Sequence, residues 1–375
     1  MKRTRYTLAA FMLSCIFAFA GEEPKANSTF SVVTLNVDGL PGKVAFLPVN
    51  ADGPLSAGSE RISAYLATQN CDILCLQEDF NYRWEIWSRL FANYQHDEWT
   101  GGITYEDREI DFAHLQNLKF ECDGLNMVWR NDIQSDRYER VPWQKSFGKF
   151  SHDFDDIITK GFRRHELTLS DGHQLVVYNM HMDASSERDE MKANDGKDRE
   201  ARISQWKQLR DHILERLDER PVIIVGDMNS YYYRDDFKTE FIDAITNTGN
   251  ATVCDAWIEK CNQGIYPDLG TEPLEGETLD KALYINPTGG NSLELVSVTI
   301  DRSNYLYDGK PLGDHYPLIS TFRYISLADK EATRINTLTN GANDTDVETY
   351  DLSGRPVDET YKGIAVTSQG KYLKK

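Results

Sequence analysis

The sequence predicts a mixed α/β fold, on three observations. Runs at 31–35, 73–76, 175–178 and 222–225 are apolar at nearly every position, as strands buried on both faces tend to be. Between them, residues 201–217 carry Ile203, Trp206, Leu209, Ile213, Leu214 and Leu217 at helical spacing, with Pro221 beyond the end. Each strand-like run leads into polar side chains: Asn36, then Gln77-Glu78-Asp79, then Asn179-Met180-His181, then Gly226-Asp227-Met228-Asn229. Sites in α/β proteins gather at such strand ends.

The remaining elements follow in order. A shorter helix is expected over 61–67, and another around Trp84, Trp87, Leu90 and Phe91, whose aromatics read as core rather than site. The stretch 39–59 holds four Gly and three Pro with few charges; it either shapes a pocket or merely connects two elements. Tyr231-Tyr232-Tyr233 either forms a stacking rim or packs its own loop.

Composition narrows the classes. With 375 residues and 40% apolar content, the chain suits one large domain or two ordinary ones, not a disordered or polytopic protein. Asp plus Glu number 60 against 41 Lys plus Arg, a net charge of -19, which argues against holding nucleic acid by bulk charge. There is no basic, aromatic-interleaved stripe and no apolar hairpin of paired aromatics. An acidic protein can still act on a polyanion when a bound cation supplies the local positive field.

The ends read differently from the middle. Lys2, Arg3 and Arg5 precede an apolar run at 8–20 that closes on Ala18-Phe19-Ala20, so residues 1–20 are expected to be an export signal. The mature protein would be periplasmic, on the cell surface or secreted, and monomeric. Export permits disulfides, and Cys254 with Cys261 is the pair to test; Cys75, inside an apolar run, is expected to be a buried thiol. Residues 27–325 form the expected main domain, 326–346 a polar linker, and 347–375 a small β module with Gly354, Gly363 and Gly370 as turns.

Six motifs then occur in a telling order: Asn36 after a strand, Gln77-Glu78, His181, Gly226-Asp227-Met228-Asn229, Asp280, and Gly313-Asp314-His315-Tyr316-Pro317. Over residues 29–323 they resemble the endonuclease/exonuclease/phosphatase superfamily, which includes pancreatic-type DNases, abasic-site endonucleases, bacterial sphingomyelinases and inositol polyphosphate 5-phosphatases. A Gly-Asp-x-Asn turn alone is a weak signal; six motifs in sequence are strong. The resemblance implies a DNase-like four-layer α/β sandwich, two packed mixed β-sheets flanked by helices. The C-terminal module, with Thr349 to Val357 and Lys362 to Val366, resembles terminal modules of exported Bacteroidetes proteins, some of them type IX sorting signals; a plain β appendage is the alternative.

Phosphodiester hydrolysis needs a cation for developing charge, a base for water and donors around the phosphate. The resemblance places Glu78, Asn36 and Asp314 at a Mg²⁺ ion, with Mn²⁺ or Ca²⁺ as alternatives. His315 is the expected general base, oriented by Asp280. His181 and Asn229 would donate to phosphoryl oxygens, and Asp227 would position the nucleophile or a second cation. The tyrosine usual after that aspartate is Lys281 here, which leaves open a surface Asp280 beside a lysine. Lys160-Gly161-Phe162 resembles a strand start of this superfamily, so Lys160 either approaches the site or, the preferred reading, is solvated. The segments around Asn36 and Glu78, and His181-Met182-Asp183-Ala184 with the later Arg202 and Gln205, look closer to exported bacterial relatives of the sphingomyelinase type than to abasic-site endonucleases. A phospholipid or small phosphodiester is therefore favoured narrowly over nucleic acid, with phosphomonoesters third and a non-catalytic surface binding protein as the other class. Peripheral membrane contact fits the favoured substrate.

Overall fold

The computed structural model describes residues 28–331, apart from 45–46, 106–108, 111–114, 117–118, 148–154, 156 and 185–195, and residues 350–374, apart from 352–354, 358–360 and 368–369. The expected export signal and residues 332–346 of the expected linker lie outside the described residues, while 327–331 are helical.

Two six-stranded mixed sheets pack face to face. In chain order their strands are β1 (Thr29–Asn36), β2 (Ile73–Gln77), β3 (Tyr94–His96), β4 (Asn126–Arg130), β5 (Gln134–Pro142), β6 (Gly161–Thr168), β7 (Gln174–His181), β8 (Val222–Asp227), β9 (Ala251–Asp255), β10 (Asp280–Pro287), β11 (Ser292–Ile300) and β12 (Leu318–Ile325). The first sheet runs β11-β12-β1-β2-β4-β3 and the second β5-β6-β7-β8-β10-β9.

The continuous apolar runs are explained by two buried faces. Val32, Ile73, Cys75, Val177, Ile223 and Val225 meet between the sheets. Their neighbours Val33, Leu35, Leu74 and Leu76 turn outward onto Ile62, Tyr65 and Leu66 of α1 (Leu55–Gln69). On the far side, Val176, Tyr178, Val222 and Ile224 pack on Trp206, Leu209 and Ile213 of α2 (Gly196–Arg216). Truncating fully buried Leu209 or Ile213 to alanine would cost about 2–5 kcal/mol. The order helix, sheet, sheet, helix is the expected four-layer sandwich.

Local differences have physical causes. The first helix starts at Leu55, so the Gly- and Pro-rich stretch ends five residues earlier than its composition suggests and contains a small hairpin, Lys43–Val44 with Leu47–Pro48. The next helix is only Arg83–Trp87. Trp87 and Leu90 are core, but Trp84 is 63% and Phe91 45% exposed, because one short turn presents a single face to the sheet. Cys75 is buried as expected, whereas Cys254 and Cys261 are both free thiols. Asp255 caps the helix Ala256–Cys261 between them, accepting from Ile258 N, and the helix carries Cys261 away from β9 to an exposed end. Residues 350–374 contain a three-stranded antiparallel sheet. Among the described residues, no helix is long and apolar enough to cross a membrane.

Candidate active site

On the inner face of each sheet, polarity switches at the last positions. Along β1 the inward residues end on Thr34 and Asn36, along β2 on Gln77, along β7 on Asn179 and His181, and along β8 on Asp227, every one of them buried. Pairing aligns these ends: Asn36 faces Gln77, His181 faces Asp227, and Asp227 faces Asp280. Gly226 makes the β7–β8 register possible, since a Cβ there would lie 1.9 Å from Met180 O and its φ is +150°. The loop before β12 brings His315 over the same seam.

Asp227 Oδ2 is the hub. Asn36 Nδ2 donates to it at 3.1 Å and to Glu78 Oε1 at 2.9 Å. His181 Nε2 lies 3.5 Å and His315 Nε2 3.6 Å from the same oxygen. Asp227 Oδ1 accepts from Asn229 N at 3.0 Å. Burial alone would raise this carboxyl, but the two imidazoles and these donors hold it below its ordinary value. Asn229 Nδ2 donates to Met182 O at 3.0 Å, which leaves its second amide hydrogen for another oxygen.

The histidines are tuned in opposite directions. His181 is buried beside Lys160, which together press its imidazole well below the usual range and keep it neutral. His315 is pulled well above that range: burial disfavours its charge, but Asp280 and Asp227 outweigh it. Asp280 Oδ2 accepts from His315 Nδ1 at 2.7 Å, and Asp280 is only 4% exposed, so it is no surface carboxylate. Lys281 leaves β10 on the opposite face, bonding Glu277 at 2.9 Å and lying over the Tyr232 ring, so the exchange of tyrosine for lysine does not reach this contact.

The structure adds two site residues, one that the sequence reading ranked as solvated and one that it missed. Lys160, read as solvated, is 5% exposed; it pairs with buried Asp155, and its Nζ lies 3.2 Å from His181 Nε2. Gly161, next to it, lets β6 close on β5, because a Cβ there would lie 2.2 Å from Val141 O. Asp38, two residues past Asn36, donates its N–H to Asn36 Oδ1 at 2.9 Å and accepts from Asn50 Nδ2 at 2.5 Å. The Asn-x-Asp-Gly spacing, an Asx turn, is the signal that would have found it. Arg202 and Gln205 act from α2, bonding Asp183 O and Asp183 Oδ1 and anchoring the segment after His181. Tyr232 and Tyr233 are buried, and Tyr232 donates to Asp255 Oδ2 at 2.8 Å, so that segment packs its own loop.

The donor set fits a divalent cation. Burial, then Asp314 and Glu78, push the Asp38 carboxyl up to about 8, and burial with Asp314 raises Glu78 also. Three carboxyls repelling one another at one strand end are relieved by a hard cation with oxygen ligands. Exposed Asp314 joins this cluster from the His315 loop. Glu78, His181 and Asp227 also offer ligand atoms within 4.8 Å of one another, as do Asp227, Asp280 and His315; these sets mix imidazole with carboxylate and suit a hard ion less well.

No protein-family model and no curated protein matches the chain. Solved structures do. A D. rerio TDP2 humanized by 14 mutations aligns with a TM-score of 0.52 at 17% identity, over 78% of this chain and 98% of that one. D. rerio TDP2 complexed with a single-strand DNA product gives 0.51 at 17% identity, over 79% and 99%. An endonuclease/exonuclease/phosphatase from Bacteroides vulgatus gives 0.52 at 14% identity, over 79% and 98%. The chain thus has the endonuclease/exonuclease/phosphatase fold, the one its six ordered motifs resemble.

Proposed function

We propose that this chain is an exported, divalent-cation-dependent phosphodiesterase. The observation that carries the reading is the His315–Asp280 pair, which bridges the sheet seam beside the Asp38, Glu78 and Asp314 carboxyls. Asp280 fixes the Nδ1–H tautomer, and it is the neutral His315, once its Nε2 proton is lost against the pull of Asp280 and Asp227, that takes a proton from water as the water oxygen attacks phosphorus. Asp227, beside Nε2, orients that water. The bond to the leaving oxygen breaks in line, the departing alkoxide takes a proton from solvent, and His315 returns the proton it took to solvent. Asn229 donates to a phosphoryl oxygen, with neutral His181 and the Lys160 cation behind it. Glu78, with Asp314, Asp38 and the Asn36 amide, would hold Mg²⁺ or a similar ion, which when bound neutralises charge developing on the phosphate.

The net charge of -19 and the sphingomyelinase-type motifs favour a phospholipid or small phosphodiester as substrate. A nucleic-acid substrate is the second reading, favoured by the fold's likeness to D. rerio TDP2 solved with a single-strand DNA product. Export rests on the segment up to Ala20, and N-terminal sequencing of exported protein should start at Gly21.

The deciding experiment is hydrolysis of bis-p-nitrophenyl phosphate by protein from Gly21 onward, with Mg²⁺, with chelator and as His315→Ala. Activity that needs metal and collapses in the variant supports the reading. Folded, metal-loaded protein that is silent on this diester and on lipid and DNA panels would point to a binding protein.

A further inference from the structure

Beneath the site lies a layer of buried amides that the chemistry above does not use. Gln77 Nε2 crosses from β2 in one sheet to Asn179 Oδ1 on β7 in the other, 2.7 Å away. Asn179 answers in the opposite direction, its Nδ2 donating to Leu76 O and to Asn126 O, both at 3.0 Å. Thr34 Oγ1 donates to Gln77 Oε1 at 3.3 Å. Thr34, Gln77, Asn126 and Asn179 are all fully buried.

The location is specific. Leu76 and Asn126 are the facing pair at which the β2–β4 ladder ends, so Asn179 bonds both strands where they part. Just past the opening, Glu78 has a φ of +56°, a left-handed backbone that glutamate seldom adopts. Asp79 beyond it is tied down on the other side, its N–H to Gly124 O at 2.9 Å and its Oδ2 to Asn126 Nδ2 at 2.8 Å. A strained residue of this kind persists only when its surroundings fix it.

We propose that Gln77, Asn179 and Asn126 are positioning residues, an inter-sheet brace that sets the strained Glu78 carboxylate against His181 and Asp227. The inference rests on the phosphodiesterase reading. Gln77 adjoins Glu78, and Asn179 lies two residues before His181 on the same strand face, so one hydrogen-bonded unit reaches both halves of the site. Apolar contact between the sheets is not directional; a satisfied amide network specifies one spacing.

The test uses Gln77→Met and Asn179→Leu, with Ile213→Ala, remote in the helix-side core, as a control of comparable thermal destabilisation. Free Mn²⁺ is titrated by electron paramagnetic resonance, alongside melting temperature and kcat/KM on bis-p-nitrophenyl phosphate. Both brace variants should weaken Mn²⁺ binding and lower kcat/KM by about 10–100-fold, while Ile213→Ala keeps wild-type Mn²⁺ affinity. Gln77→Met leaves both Asn179 Nδ2 bonds in place, so it gives the answer even where Asn179→Leu fails to fold. Brace variants that melt lower yet bind Mn²⁺ like wild type would overturn the inference. Wild-type protein that binds no Mn²⁺ and hydrolyses nothing overturns the phosphodiesterase reading itself, and the brace's role with it.

Discussion

His315 Nδ1 donates to Asp280 Oδ2 at 2.7 Å, although the two residues stand 35 apart in the chain and reach each other from opposite sheets. Asp280 opens β10 of one sheet, and His315 sits on the loop that enters β12 of the other. Their contact therefore depends on how the sheets are stacked as well as on either strand.

The pair should behave as one unit. His315→Ala and Asp280→Asn are each expected to lower kcat on bis-p-nitrophenyl phosphate by about 10²–10⁴-fold. The double variant should fall little further, because groups acting together are not additive. Losses that multiply in the double variant would show the two residues working independently.

Asp38 predicts a pH effect on the metal-free protein. Its carboxyl sits at about 8 in the folded chain against 3.8 for the free group, so the folded state keeps a proton that the unfolded state has lost. The stability it contributes is complete below 3.8 and is lost as pH rises to about 8. In chelator at pH 8, Asp38→Asn should therefore melt above wild type, and added Mg²⁺ should stabilise wild type more than the variant. Identical melting curves in chelator across this range would sink the idea.

Lys160 is a buried cation paired with buried Asp155. Lys160→Met strands that partner and should cost about 3–5 kcal/mol in urea unfolding. Adding Asp155→Leu should restore most of the stability but not the activity, since His181 and Glu78 still lack the neighbouring charge. A double variant with wild-type turnover would make Lys160 purely structural.

Salt separates the two substrate readings. Cleavage of single-stranded DNA should show KM rising steeply between about 50 and 200 mM NaCl if phosphate contacts hold the substrate. Hydrolysis of phospholipid vesicles should change little over that range. A steep DNA response with slow lipid turnover would favour the nucleic-acid reading.

The sequence by itself determined the layers and the order of the polar strand ends. Strands buried on both faces must be apolar throughout, and the seam between two sheets must turn polar where water enters; both constraints are local enough to be written as short runs. Tertiary structure alone decided the rest. Lys160 finds Asp155 and His181 because β6 is paired to β7, with Phe162 facing Met180, and no periodicity at 160–162 encodes that neighbour. Asp38 joins Glu78 and Asp314 because a turn and two loops converge, and its carboxyl is raised by burial and by charges distant in sequence. Lys281 spares Asp280 because adjacent strand residues point to opposite faces, and only the packed sheet says which face holds the site. Cys254 and Cys261 stay apart, although seven residues is a plausible reach, because the intervening segment spends those residues on a capped helix.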